Sequence, residues 1–278
     1  MHLLKSFFRF YINSSVHVAL AVTSLYTITA LEFDFNIDNN FAFFIFLATI
    51  TGYNFVKYFG LAKFHHRSLE PWLKAIQLFS LMAFLGLVYV TLKMPINTIY
   101  YFGGAGLVTF LYAIPMLPRK WFLHSNSNLR EISGLKIYVI AMIWSLVVVV
   151  IPVFHHDLVW HSDFTLKAMQ IFVYVIAVML PFEIRDLNYD SLRLGTIPQR
   201  IGIANTKRVG IALSLLFLVL ELMKNTNTTK ELRFNALVAF LILLSVMKSS
   251  RENSIYYSAF WVEALPIFWL SLYLIFGK

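Results

Sequence analysis

Lys136-Ile-Tyr-Val-Ile-Ala-Met-Ile-Trp-Ser-Leu-Val-Val-Val-Val-Ile-Pro-Val-Phe154 carries one charged side chain, at its first residue, and is otherwise almost wholly apolar. A helix crossing the hydrocarbon core of a bilayer needs about 20 such residues, and in that medium every backbone amide must find its partner inside the segment. The run therefore reads as a membrane-spanning helix. Eight more runs of the same kind flank it, at Ser14–Leu31, Phe41–Phe59, Leu73–Leu92, Ile96–Ile114, Leu166–Phe182, Val209–Met223, Phe234–Met247 and Ile255–Phe276. The seventh and eighth along the chain are short for a full crossing, as tilted pairs or runs with longer true ends would be. Alternating ten-residue barrel strands are absent, so the pattern predicts an all-α polytopic membrane protein.

Composition agrees with that reading. Of 278 residues, 59% are hydrophobic and only 13% charged, whereas soluble domains carry about 25% charged residues. Too little charge remains to cover a water-facing globule, and too much hydrophobicity is present for a disordered chain. The chain has no cysteine, which excludes disulfide scaffolds, zinc-thiolate and iron-sulfur centres, and thiol nucleophiles. No Pro-, Gly- or Ser-rich linker and no short repeat divides residues 1–278, so one membrane domain is expected.

The formal charge of +9 is largely topological. Counting from the first run, the side of the N-terminus holds fourteen of the 23 Lys and Arg residues, among them Lys5, Arg9, Arg119, Lys120, Arg185, Arg193 and Arg200; the opposite side holds five, Lys93, Lys224, Lys230, Arg233 and Lys278. Cytoplasmic loops carry the Lys and Arg excess. The expectation is a cytoplasmic N-terminus and an external C-terminus in a bacterial cytoplasmic membrane, with no nucleic-acid partner. The first run lacks a convincing small-x-small cleavage site and reads as a retained span.

The segment richest in chemistry lies between the sixth and seventh runs: Pro181-Phe-Glu-Ile-Arg-Asp-Leu-Asn-Tyr-Asp-Ser-Leu-Arg-Leu-Gly-Thr-Ile-Pro-Gln-Arg-Ile-Gly202. If the sixth helix continues through it, Glu183, Asp186, Asp190 and Arg193 fall on one face. Three carboxylates on one stripe suit Mg²⁺, which takes one or two carboxylates and fills its shell with water and phosphate oxygens. A solvated loop with helical ion pairs has the same spacing.

Asp186-x3-Asp190 followed by Gly195-Thr-Ile-Pro198 and Gly202 resembles the second aspartate-rich motif of the intramembrane UbiA prenyltransferase superfamily. Leu111-Tyr-Ala-Ile-Pro-Met-Leu-Pro-Arg-Lys120 is similar to that family's Tyr-x-x-Pro segment ending in paired basic residues, and Leu135-Lys-Ile-Tyr with Trp144 also suits it. The resemblance implies nine transmembrane helices in one bundle around a cytoplasm-facing cavity. It also implies transfer of an isoprenyl chain from a polyprenyl diphosphate to a hydrophobic, commonly aromatic, acceptor. The family's first motif, Asn-Asp-x-x-Asp-x-x-x-Asp, is missing. Aligning on Asn54 puts Phe55, Tyr58 and Ala62 where aspartates would stand, and no acidic residue occurs between Asp38 and Glu70.

From the resemblance, Asp186 and Asp190, with Glu183, would hold one Mg²⁺ rather than two. Asn54, Arg119, Lys120 and Arg193 would contact the diphosphate, since guanidinium suits bidentate phosphate contact. Lys57, one helical turn past Asn54, is a candidate to stand in for the absent metal; an ordinary lysine snorkelling to the interface fits the same position. Glu263 lies inside the last run, where an ionisable group marks a functional site by default. It could act as a base toward the acceptor, or sit protonated against a neighbouring helix. His65-His66 and His155-His156 are adjacent pairs and do not have metal-ligand spacing. The alternative function is a catalytically silent relative that binds an isoprenoid or quinone-like lipid or scaffolds a partner.

Overall fold

The computed structural model describes residues 2–64, 71–113, 134–189 and 194–277, except for the side chains of 2, 3, 59–64 and 113. Every regular element among the described residues is helical: α1 (His2–Asn13), α2 (Val16–Glu32), α3 (Asn39–Phe64), α4 (Pro71–Thr91), α5 (Ile96–Ala113), α6 (Leu135–Ser145), α7 (Ile151–His155), α8 (Ser162–Asp186), α9 (Ile197–Leu222), α10 (Thr229–Met247) and α11 (Leu265–Phe276). Two π-helical turns, Leu146–Val150 and Tyr257–Val262, join α6 to α7 and precede α11.

Six stretches are long and apolar enough to cross a membrane: Asn39–Tyr58, Pro71–Thr91, Leu135–His155, Ser162–Asp186, Ile197–Leu222 and Tyr257–Phe276; the bent pair α1 and α2 makes a seventh if taken as one span. The protein is therefore an all-helical integral membrane protein. Each of the nine apolar runs overlaps a helical segment among the described residues. α5 is diluted by Asn97, Gly103, Gly104 and Gly106, and α10 opens with Lys230, Glu231 and Arg233. Many of the hydroxyls inside the helices are satisfied locally: Thr23, Thr27, Thr29, Thr49, Ser80, Thr91 and Thr109 each donate to the carbonyl four residues earlier. Hydrocarbon tolerates them for that reason.

Neighbouring helices form a circuit that runs α4, α3, α2, α11, α10, α9, α8, α6 and then α5, which also packs on α7. α8 is the most enclosed span. Its Tyr174 meets Phe217 of α9 and Trp269 of α11, ring centroids 5.5–6.3 Å apart, in a fully buried aromatic triangle. Apolar residues on the outside of the bundle such as Leu78, Leu85, Leu215 and Val219 stay exposed. Between bilayer-embedded helices the drive is close packing and polar contacts rather than removal of apolar surface from water.

Two boundaries differ from the sequence expectation. Residues 2–13, read only as a basic flank, form a helix of their own, bent 56° from α2. The bend turns on Ser15, a non-glycine residue in the left-handed region with φ 63°. The seventh run, expected to be short, is the second part of the 26-residue α9, which kinks at Gly202 (φ 77°, ψ 163°). Polarity hid its first turns from a hydropathy reading, while Thr196 and Gln199 cap them: the Thr196 N–H donates to Gln199 Oε1 at 3.0 Å.

Candidate functional site

The bend between α1 and α2 is stitched to the middle of α3. Ser15 Oγ donates to Asn54 Oδ1 at 2.8 Å, and the Asn54 amide donates to the Ser14 carbonyl at 3.0 Å and to Ser80 Oγ of α4 at 2.8 Å. Asn54 is buried and its amide N–H groups are both used. One turn on, Lys57 Nζ donates to Ser15 Oγ at 2.9 Å. An ammonium has three donors, so this contact orients Lys57 and leaves capacity for a ligand. Tyr58 Oη donates to the Asn13 carbonyl at 2.9 Å.

Glu263 faces this cluster from the last span. Lys57 and Arg185 are the cations within its electrostatic reach, and Tyr11, Tyr53 and Tyr174 lie in its field. Among the described residues its carboxylate takes no hydrogen bond. Protein surrounds Lys57 and Glu263 on most sides, yet both keep accessible surface. Lys57 is exposed and Glu263 half-buried, so neither is sealed in a packed core.

The π-helical turn explains how Glu263 is aimed. The Glu263 N–H bonds to the Ser258 carbonyl, five residues back, at 3.1 Å. π-turns of this kind recur at functional sites because they rotate the following side chains out of α register. Arg185, near the end of α8, clamps the turn: Nη1 donates to Ser258 Oγ at 2.5 Å and to the Ile255 carbonyl at 3.2 Å. Its other donors form a two-pronged contact with Asp186, Nε to Oδ1 at 2.6 Å and Nη2 to Oδ2 at 2.8 Å. His17 joins the same corner. Its Nε2 must donate to the Phe260 carbonyl, 3.0 Å away, so Nδ1 accepts from Tyr11 Oη at 2.7 Å.

The acidic stripe is only partly described. α8 ends at Asp186, and Leu187–Tyr189 form a turn rather than further helix. Glu183 is buried and its Oε2 accepts from the Ile197 N–H at 3.1 Å, where a carboxylate complements the first turn of α9. Both oxygens of Asp186 are engaged by Arg185. Among the described residues no group of three His, Asp or Glu side chains could hold a metal ion, so Glu183 and Asp186 do not by themselves fit Mg²⁺. Asp190, Arg193, Arg119 and Lys120 lie outside the described residues.

A cavity of about 930 Å³ adjoins the polar cluster. Its walls come mainly from α3, α4, α5 and α6, between the two ends of the helix circuit. Phe44, Phe84, Phe102 and Phe110 line it, with Tyr53, Asn54, Ser80 and Lys136 among the polar groups. Tyr53 Oη accepts from Trp144 Nε1 at 3.0 Å, and Tyr53 and Asn54 belong to both cavity and cluster. The volume is near the upper end of the range of about 300–1,000 Å³ for small-molecule sites, and a mostly apolar wall with a few convergent polar groups is their usual chemistry.

The opposite end of the bundle holds an ion network that sequence reasoning missed. Lys167 Nζ meets Glu32 Oε2 at 2.6 Å and stands 4.7 Å from the Trp269 ring centroid. Lys224 Nζ meets Glu221 Oε2 at 2.6 Å, Gln170 Oε1 at 3.0 Å and Glu32 Oε2 at 3.4 Å. Tyr273 Oη donates to Glu32 Oε1 at 2.9 Å. Two cations and two anions cancel, and the network ties α2, α8, α9 and α11 together. The only signal available beforehand was the presence of Glu32, Lys167 and Lys224 beside apolar runs.

Fold and site together define a class: an all-helical integral membrane protein with an apolar cavity next to an intramembrane cluster of opposite charges. Compared with protein families, characterised proteins and solved structures, the chain matches none.

Proposed function

We propose that the protein is a UbiA-like intramembrane prenyltransferase, nine spans around a cavity open to the cytoplasm of a bacterium, with its N-terminus inside and C-terminus outside. The observation that carries this reading is Glu263, an intramembrane carboxylate that takes no hydrogen bond among the described residues and faces Lys57 and Arg185 near a large apolar cavity. The isoprenyl chain of a polyprenyl diphosphate occupies the cavity, and its head lies toward Lys57. As the allylic carbon–oxygen bond breaks, the diphosphate leaves with the electron pair, and fixed cations stabilise that charge. The acceptor's hydroxyl or ring carbon bonds to the allylic carbon, and its proton passes to the Glu263 carboxylate. Tyr53 and neighbouring phenylalanine faces shield the cationic chain end. A single Mg²⁺ at Asp186 and Asp190, with Glu183 behind them, would add positive charge at the diphosphate. Arg119, Lys120 and Arg193 complete the proposed diphosphate contacts; Asn54, whose amide N–H groups are taken by Ser14 and Ser80, instead holds the bend beside Lys57.

A second reading is a lipid-binding protein without transfer activity. The two-pronged Arg185–Asp186 contact and the use of Glu183 by α9 favour it, because both carboxylates are already engaged. One experiment separates the two. The detergent-purified protein is given labelled farnesyl and geranylgeranyl diphosphates and a panel of hydrophobic phenols, with and without Mg²⁺, beside the Glu263→Gln and Asp190→Asn variants. Product formation by wild type that either variant abolishes supports transfer. Retention of the diphosphate with no product under any condition leaves the lipid-binding reading.

A further inference from the structure

We propose that α1 is a membrane-surface anchor that lies along an anionic lipid leaflet, its seat fixed by Tyr58 and Asn54, which flank Lys57 on α3. The inference does not depend on the reaction proposed above.

The sequence of α1, His-Leu-Leu-Lys-Ser-Phe-Phe-Arg-Phe-Tyr-Ile-Asn, separates into two sides at helical spacing. Leu4, Phe7, Phe8, Tyr11 and Ile12 share one, and Lys5, Ser6, Arg9 and Asn13 the other. The apolar side is itself divided. Phe8 packs against Tyr256 (tilted) and Phe260 (edge to face), with centroids 5.2 and 5.1 Å away, and Ile12 is buried. Phe10, at the stripe's edge, meets Phe79 of α4 at 5.4 Å. Leu4 and Phe7 point away from the protein, 74% and 71% exposed. Lys5 and Arg9 are exposed beside them.

An apolar ridge with two cations alongside it and a 56° bend to the spanning helix has the form of an interfacial helix. Such helices bury one face at the boundary of headgroups and acyl chains while their basic residues meet lipid phosphates. Charge complementarity selects an anionic leaflet. The same end of the bundle holds Arg200, Lys207, Arg208, Lys248 and Arg251, and Lys207 reaches the end of α10 through the Met247 carbonyl at 2.8 Å. Juxtamembrane basic groups draw such surfaces toward acidic lipid within about a Debye length. The helix is not free to swing. Tyr58 holds the Asn13 carbonyl, Asn54 holds that of Ser14, and Ser15 fixes the bend. A contact between lipid and α1 is therefore mechanically joined to the segment that carries Lys57.

The absence of cysteine permits single-site spin labelling of the full chain. Phe7→Cys and Ser6→Cys proteins are labelled with a nitroxide and reconstituted into vesicles of phosphatidylcholine alone or mixed with phosphatidylglycerol. Accessibility to oxygen and to a water-soluble nickel complex is then compared. The expected result is a Phe7 label reached by oxygen and a Ser6 label reached by nickel, with the oxygen-to-nickel ratio at Phe7 rising in anionic vesicles. Lys5→Gln with Arg9→Gln removes that rise. Tyr58→Phe, which deletes one hydroxyl, increases label mobility at Phe7. A Phe7 label open to nickel in both vesicles, or an equal ratio in both, overturns the anchor. Dipolar broadening that vanishes on dilution with unlabelled chain assigns the ridge to a second copy instead. Unchanged mobility in Tyr58→Phe overturns the fixed seat.

Discussion

Lys57 and Ser15, 42 residues apart in the chain, meet at 2.9 Å between ammonium and hydroxyl. Through that contact the bend before α2 sets the direction of Lys57, a cation on α3 that faces Glu263.

If Lys57 binds the head of a diphosphate, Lys57→Ala weakens farnesyl diphosphate binding by roughly 10- to 100-fold, the range for a hydrogen bond to a charged group. Lys57→Arg keeps part of it. Equilibrium binding with the labelled diphosphate reads this directly, and an unchanged dissociation constant removes Lys57 from the site.

Glu263→Gln preserves shape and removes the base. Turnover falls by about 10²–10⁴ if Glu263 takes the acceptor proton, while diphosphate affinity holds. Full activity in this variant would sink the assignment. Arg185→Ala releases the π-turn from which Glu263 emerges and lowers affinity and turnover together.

At the far end of the bundle, Lys167→Met strips a partner from buried Glu32. Breaking such a pair costs about 3–5 kcal/mol, whereas replacing both members is far milder. Unfolding in detergent should therefore rank Lys167→Met below the Lys167→Met, Glu32→Gln double variant. A double variant no better than the single one contradicts the pairing.

A methyl group on Gly210 would strike the Val246 side chain of α10. Gly210→Ala is expected to destabilise the protein by about 1–3 kcal/mol through overpacking, with recovery in Gly210→Ala, Val246→Ala. The thermal midpoints of the three proteins test it.

Outside the spans, Asp38 links the loop before α3 to α7. Burial alone would push its carboxyl up, but the His155 hydrogen bond and the N–H groups of Asn40 and Phe41 outweigh that and hold it below the usual carboxylate range. A depressed folded value gives stability that is present above the unfolded value of about 3.9 and lost as pH falls through the folded one. His155→Gln shifts this acid limb to higher pH, and Asp38→Asn removes it. Thermal midpoints followed from pH 6 downward, in steps of about half a unit, decide it.

Membrane embedding and helical class were legible in single runs such as Lys136–Phe154, because hydrocarbon enforces a local rule: each segment must satisfy its own backbone. Glu263 and Lys57 stood out for the same reason, as ionisable groups in or at the end of apolar helices. Their juxtaposition did not. α1 escaped because twelve alternately apolar and basic residues are too few and too polar for a spanning run, and its docking depends on Phe79, Tyr256 and Phe260 far along the chain. The network of Glu32, Lys167, Glu221 and Lys224 joins positions up to 192 residues apart, which no spacing rule connects. The sequence by itself determined that the chain lies in a membrane, that its elements are helices and which ionisable groups they carry, since those follow from local composition. Tertiary structure alone decided which charges face one another, because pairing depends on the order in which helices pack and on the bends at Ser15 and the π-turn that aim them.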